Sequence, residues 1–250
     1  MTFHASLLWH TIACISGFLI SSSLVAAEPF AKPLFNGTSL DGWDGDPRFW
    51  RVEDGVIVGQ TTVENSPRQN TFLIYRGGEF ADFELTFSYR VEGFNSGVQY
   101  RSVDQGSWIV SGYQADFEAR CHSMRGTLAD QYSGMFFEEK GRMFLAQRGQ
   151  AVVIRPGQDN PAKPQIQVIG TLGDSAELEA AIRRDDWNEY HIIADGFQFV
   201  HVINGRVMSI GIDDDRDHRR ASGVIAFQLH AGPPMEIRVK DIQIRELNKH

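Results

Sequence analysis

Residues 82–92 alternate without a break: Phe83, Leu85, Phe87, Tyr89 and Val91 point one way, and Glu84, Thr86, Ser88 and Arg90 the other. A period of two marks a strand with one buried face, and a helix repeating every ~3.6 residues cannot satisfy it. Shorter runs of the same kind fill the chain from Phe49 to Leu247. Asp54-Gly55 separates 49–53 from 56–60, which predicts a hairpin. Residues 187–195, 197–203 and 206–210 predict a meander turning at Gly196 and at Asn204-Gly205. Two more strands are expected at 223–230 and 236–246. One helix is predicted over 174–184, capped by Asp174 or Ser175, with Leu178, Ala181 and Ile182 inward. Many short strands with one helix argue for an all-β sandwich of two antiparallel sheets. No composition break, long linker or internal repeat divides the chain. The Pro/Gly-rich stretch 155–164 reads as a loop, and residues 28–48 as a segment wrapping across one end.

The first 27 residues hold no Lys, Arg, Asp or Glu, and Leu7 to Val25 is largely apolar. Val25-Ala26-Ala27 before Glu28-Pro29 is a small-residue cleavage site, so residues 1–27 read as a secretory signal peptide. Only the amino terminus, His4 and His10 supply its positive end, and the apolar run past Thr11-Ile12-Ala13-Cys14 makes that a poor lipobox. The expected mature unit is 28–250, secreted or periplasmic, with no stable membrane insertion after cleavage. Cys121 is then the one remaining cysteine, and no intramolecular disulfide is expected. With 24 Lys+Arg against 32 Asp+Glu the formal charge is −8. An acidic chain without Lys/Arg clusters is ill suited to nucleic acid; a neutral, hydroxyl-rich ligand is compatible.

Three strand-like stretches carry polar residues along one face. Gln114, Asp116 and Glu118 lie opposite Tyr113, Ala115 and Phe117; Gln99 pairs with Arg101; Gln228 pairs with His230, opposite Ile225, Phe227 and Leu229. One such strand would be merely half exposed. Three, each with groups that bind hydroxyls or move protons, suggest one polar sheet surface that holds a ligand.

The ordered motifs extend the point. Pro33-Leu34-Phe35-Asn36-Gly37-Thr38-Ser39-Leu40-Asp41-Gly42-Trp43, Trp50-Arg51-Val52-Glu53-Asp54-Gly55, Asn95-Ser96-Gly97 through Arg101, Gly112-Tyr113-Gln114, Trp187-Asn188-Glu189-Tyr190, Asn204-Gly205, Gln228-Leu229-His230 and Lys240-Asp241-Ile242 occur in this order. The set resembles the 3-keto-disaccharide hydrolase family over residues 34–247. The resemblance implies a concanavalin-like jelly-roll sandwich whose concave sheet holds saccharide. It also implies cleavage of 3-keto-glycosides: a base removes the acidified C2 proton, the C1 substituent leaves, and water adds to the product.

On that reading His230 or Asp116 is the base, Arg101 and Gln228 stabilise the enolate, and Glu118 is the acid. Gln99, Gln114 and Asn95 orient hydroxyls. Glu138 and Arg142, near Tyr132, Phe136 and Phe137, form a cleft wall with an aromatic platform. No cofactor and no metal are expected. Plainer readings stand beside these: a strand His is more often structural, Arg101 and Asp116 make an ion pair, Glu118 ends its strand in solvent, and Asn95-Ser96-Gly97 is a turn. Two rival functions also remain. One is a non-catalytic carbohydrate-binding module. The other is a laminarinase-type glycosidase, which puts a nucleophilic carboxylate where Gln114 stands and needs carboxyls ~5–5.5 Å apart; Glu138 or Glu139 would have to supply the second. Asp213-Asp214-Asp215-Arg216-Asp217-His218 lacks the Gly and distal Glu of a calcium loop and reads as a solvated acidic loop. His122, His191, His201 and His218 show no metal-ligand spacing.

Overall fold

The computed structural model of the protein describes residues 31–119, 131–158, 160 and 163–247. The predicted leader, Cys121 and His122 lie outside the described residues. Along the chain, β1 (Lys32–Pro33), β2 (Trp43–Asp44), β3 (Trp50–Glu53), β4 (Val56–Gln60) and β5 (Thr71–Tyr75) come first. The long strands β6 (Phe83–Glu92), β7 (Asn95–Gly106) and β8 (Ile109–Glu118) follow. Next are β9 (Phe136–Glu139), β10 (Met143–Ala146), β11 (Gln150–Arg155), β12 (Gln165–Thr171) and the helix α1 (Ser175–Glu179). β13 (Asn188–Asp195), β14 (Gln198–Ile203), β15 (Arg206–Asp213), β16 (Val224–Leu229) and β17 (Glu236–Glu246) complete the order.

These strands form a jelly-roll sandwich. The larger sheet runs β12-β11-β15-β14-β13-β6-β17-β4-β3, with β1 also on β17; the smaller runs β10-β9-β8-β7-β16-β5-β2. Among the described residues the pairings are antiparallel except β11 with β15, which is parallel. The predicted hairpin is present, with Asp54 and Gly55 at φ 47° and 80°, the doubly positive turn that suits strand twist. Asn204 and Gly205 turn the same way between β14 and β15. The helix is shorter than expected: Asp174 caps it by accepting from the Ala176 and Glu177 N–H groups, and Leu178 is its buried residue.

The apolar face of β6 packs across the core against the smaller sheet. Phe87 meets Phe227 edge-to-face at 5.2 Å, and Tyr89 lies 4.4 Å from Phe117. The opening segment ties the two layers together. β1 pairs with β17 of one sheet and β2 with β5 of the other, while the buried Trp43 Nε1–H donates to the Leu34 carbonyl at 2.8 Å. Because the inner face of the smaller sheet is committed to this core, its alternate residues must point outward. No described helix is long and apolar enough to cross a membrane.

Candidate active site

The outward residues of β7, β8, β9 and β16 converge on a cleft of about 520 Å³. Asn95, Gln114, Asp116, Phe137, Glu139, Gln228 and His230 line it, with Asn70, Phe94, Tyr132, Lys140, Met143 and Phe144 around the rim. Of the expected residues, the structure therefore brings together Asn95, Gln114, Asp116, Gln228 and His230. Gly97 makes this possible locally. It sits opposite Asp116, and a Cβ there would lie 2.6–2.7 Å from the Gln114 side chain. Only the missing side chain leaves room for that amide. Ser96 donates to the Gln228 carbonyl at 2.7 Å, fixing β7 to β16.

A chain of amides connects the two carboxylates of the cleft. Gln114 Nε2 donates to Asp116, and Gln114 Oε1 accepts from Gln99 and, at 3.2 Å, from Gln228 Nε2. Gln228 Nε2 also reaches Glu139 Oε2 at 3.3 Å. Gln99 is buried and outside the residues that line the cleft, and its amide holds Gln114 from the neighbouring strand. Gln228 Oε1 is buried without a hydrogen-bond partner, an acceptor that awaits a donor. Asn70 closes the other side: its Oδ1 accepts from the Ala231 N–H at 3.0 Å and its Nδ2 donates to Glu139 Oε1 at 3.3 Å.

Burial pushes the Glu139 carboxyl above its ordinary pKa of 4.5, because a desolvated carboxylate is disfavoured. The hydrogen bonds from Asn70 and Gln228 and the nearby Lys140 ammonium offset this only in part. His230 stands half-buried just past β16, edge-on to Phe94 at 5.0 Å. Its Nδ1 lies 2.6 Å from the Ala231 carbonyl oxygen. A carbonyl can only accept, so Nδ1 carries the proton and, in the neutral ring, Nε2 keeps the lone pair.

Four expected residues lie elsewhere, each for a physical reason. Arg101 sits at a β-bulge between Tyr100 and Val103, with φ 45°. The bulge turns the side chain off the polar face, into full burial against Asp82 at 2.9 Å and the carbonyls of Ala81, Gly196 and Arg220. Its ion pair is thus with Asp82, not Asp116. Glu118 ends β8, where its carboxylate accepts from the Gln131 and Tyr132 N–H groups and borders a separate cavity near Glu179 and Arg183. Glu138 points to the opposite side of β9 from Glu139 and holds Arg142 at 2.6 Å. Arg142 is itself buried, bridging to Asp213 at 2.6 Å and Asp215 at 3.3 Å.

That network also corrects the reading of the acidic run at two positions, Asp213 and Asp215, while Asp214, Arg216 and Asp217 are exposed as a solvated loop requires. Asp213 and Asp215 are fully buried, and Asp213 accepts from the Tyr113 hydroxyl at 2.5 Å. Both are thus buried partners of Arg142 rather than solvated side chains. Phe136 belongs to the core, so the aromatic wall is Tyr132, Phe137 and Phe144, with Tyr132 and Phe144 stacked at 6.1 Å. His201 is a core histidine between the Tyr100 hydroxyl at 2.9 Å and the Met135 carbonyl at 3.2 Å. Burial drives its pKa down to about 3. Among the described residues no three His, Cys, Asp or Glu converge as metal ligands.

A family profile described as 3-keto-alpha-glucoside-1,2-lyase-like domain matches residues 31–245. A candidate glycosyl hydrolase from Parabacteroides distasonis ATCC 8503 superposes over 87% of this chain and 99% of its own, at 19% identity and a TM-score of 0.55. A protein of galectin-like fold from Bacillus subtilis covers 89% and 97%, at 12% and 0.54. The kappa-carrageenase of Pseudoalteromonas carrageenovora, solved with an oligotetrasaccharide of kappa-carrageenan, covers 90% and 98%, at 10% and 0.51. At such identities these likenesses establish the fold alone. No curated protein matches the chain.

Proposed function

Because the chain belongs to the family of 3-keto-alpha-glucoside-1,2-lyase-like domains, we propose that the cleft of the smaller sheet cleaves 3-keto-glycosides by C2 deprotonation and expulsion of the C1 substituent. The observation that carries this reading is a complementary pair on one cleft. The His230 bond to the Ala231 carbonyl leaves Nε2 as a base, and buried Glu139 has a raised affinity for its proton. Base and acid with environments that separate their roles are what a proton-in, proton-out reaction needs.

In the reaction, His230 Nε2 takes the C2 proton, and the electrons of that bond pass into the 3-keto group as an enolate. Lys140, the one Lys or Arg among the described cleft-lining residues, offsets the developing charge, the role that the sequence assigned to Arg101. The enolate then reforms the ketone, the C1–O bond breaks, and the departing oxygen takes its proton from Glu139. The products are a 1,2-unsaturated 3-keto sugar and the free alcohol. Addition of water, hydroxyl to C1 and proton to C2, makes the net change a hydrolysis. The orphaned Gln228 Oε1 suits a sugar hydroxyl, and Tyr132, Phe137 and Phe144 offer apolar faces to a pyranose. Asp116, held by Gln114, and Asn95 orient the remaining hydroxyls. Export by the apolar leader belongs to the same proposal.

A binding module without catalysis has no need of a buried carboxyl beside a histidine with a free lone pair. A substrate deuterated at C2 tests the route. A primary isotope effect on kcat/KM with loss of the label to water is expected, and both vanish in His230→Ala. Cleavage with the C2 label retained contradicts it.

A further inference from the structure

Asn70 lies just before β5, whose Thr71 pairs with Leu229 of β16. One step further along that register brings Asn70 beside His230, where both line the cleft. We propose that Asn70 is a positioning residue for the reaction given above, on which this role rests: its one amide holds the acid Glu139 and the chain that supports the base His230 in a fixed relation.

The direction of each bond follows from what the groups can do. A backbone N–H can only donate, so the Ala231 N–H, 3.0 Å away, must face the amide oxygen of Asn70. Nδ2 is thereby turned as a donor to Glu139 Oε1 at 3.3 Å. Gln228 Nε2 donates to the other oxygen, Oε2, at 3.3 Å. Two amides from separate parts of the chain therefore aim the acid.

The base side depends on the same residue. Ala231 carries the carbonyl that accepts from His230 Nδ1 at 2.6 Å, and the chain around it has little other hold. β16 ends at Leu229, Gly232, Pro233 and Pro234 are exposed, and the two prolines have no N–H to donate. The His230 N–H donates to the Met235 sulfur at 3.3 Å, a weak acceptor. Releasing Ala231 from Asn70 frees the carbonyl that sets the imidazole tautomer.

Burial raises the Glu139 pKa, and the Asn70 bond is the foremost of the effects that oppose it. The titratable groups that share the cleft with Glu139 are Lys140 from its own hairpin, Asp116 from β8 and His230 past β16. All three are retained when Asn70 is replaced. Loss of the Asn70 donor therefore moves the Glu139 pKa further upward.

Two variants separate the arms of the amide. Asn70→Ala removes both bonds, whereas Asn70→Asp keeps an oxygen for the Ala231 N–H and removes the donor to Glu139. On a 3-keto-glycoside, Asn70→Ala is expected to lower kcat by roughly 10²-fold, the cost of misplacing a reacting group by ~1 Å, with KM little changed. Asn70→Asp is expected to lose less. Carbon-13 titration of the Glu139 carboxyl should move to higher pH in both variants. Nitrogen-15 shifts of the His230 ring should show the Nδ1–H tautomer kept in Asn70→Asp and mixed in Asn70→Ala. A fall in turnover with the Glu139 titration and the His230 tautomer both unmoved overturns the role, because a merely structural defect gives that result. Turnover equal to the wild type's in both variants overturns it as well. A wild-type protein that leaves the 3-keto-glycoside intact overturns the reaction itself, and the role of Asn70 with it.

Discussion

Glu139 concentrates the chemistry in one side chain. Its folded pKa is raised, so the folded state holds this proton more tightly than the unfolded chain does. The resulting stability is present below the unfolded pKa and is lost as pH rises through the folded one. Glu139→Gln is neutral throughout. Thermal denaturation is therefore expected to show the variant gaining on the wild type as pH rises above that range, with no such gain in acid. Turnover in the same variant falls by roughly 10²–10⁴-fold, the usual worth of a positioned acid. A pH-independent difference in stability would show that the carboxyl is not desolvated as described. At this scale the sequence was only partly legible. Period-two reading placed Gln114, Asp116, Gln228 and His230 on one surface because their strands are regular there. It could not distinguish Glu138 from Glu139, since the face of β9 depends on its register with β8, where Tyr113 meets Glu138 and Gln114 meets Phe137. Nor could it see Asn70, which lies outside the strands and reaches the site only through tertiary folding.

At the scale of elements, bulges and hairpins decide which polar residues reach the cleft. The irregularity in β7 sends Arg101 inward, although simple alternation pairs it with Gln99. No Gly or Pro at Arg101 itself marks that departure; the nearest sign is the small Ser102 beside it. The β9–β10 hairpin brings Glu139, Lys140, Met143 and Phe144 to the rim, and what supports it is the buried network beneath. There Arg142 meets Glu138, Asp213 and Asp215. Burial lowers the Arg142 pKa, but the hydrogen bonds of Asp213 and Glu138 outweigh it and hold the guanidinium charged. Removing it strands buried carboxylates, a defect that typically costs ~3–5 kcal/mol. Arg142→Ala should therefore lose stability of this order in chemical denaturation and lose activity with it as the hairpin shifts. A change within about 0.5 kcal/mol, as at ordinary surface positions, would mean that the network does not support the hairpin.

The whole molecule separates holding the fold from doing chemistry. The larger sheet and the inner face of the smaller one make an aromatic core, and the strap from Leu34 to Trp43 fastens the two layers. This left the outer face of the smaller sheet free to carry amides, carboxylates and a histidine. That division was readable in advance from the alternation of 82–92 and from the polar faces of β8 and β16, because a sandwich must bury one face of each sheet. The chemistry was less readable, because two carboxylates on one cleft, Asp116 and Glu139, are also what a glycosidase acting on unoxidised sugars requires. The central claim is that the 3-keto group makes the bond breakable. It is tested most directly by incubating the protein with a glucoside and, separately, its 3-keto derivative, and following release of the aglycone. The account predicts release from the keto compound alone. Cleavage of the unoxidised glucoside at a comparable rate would contradict it.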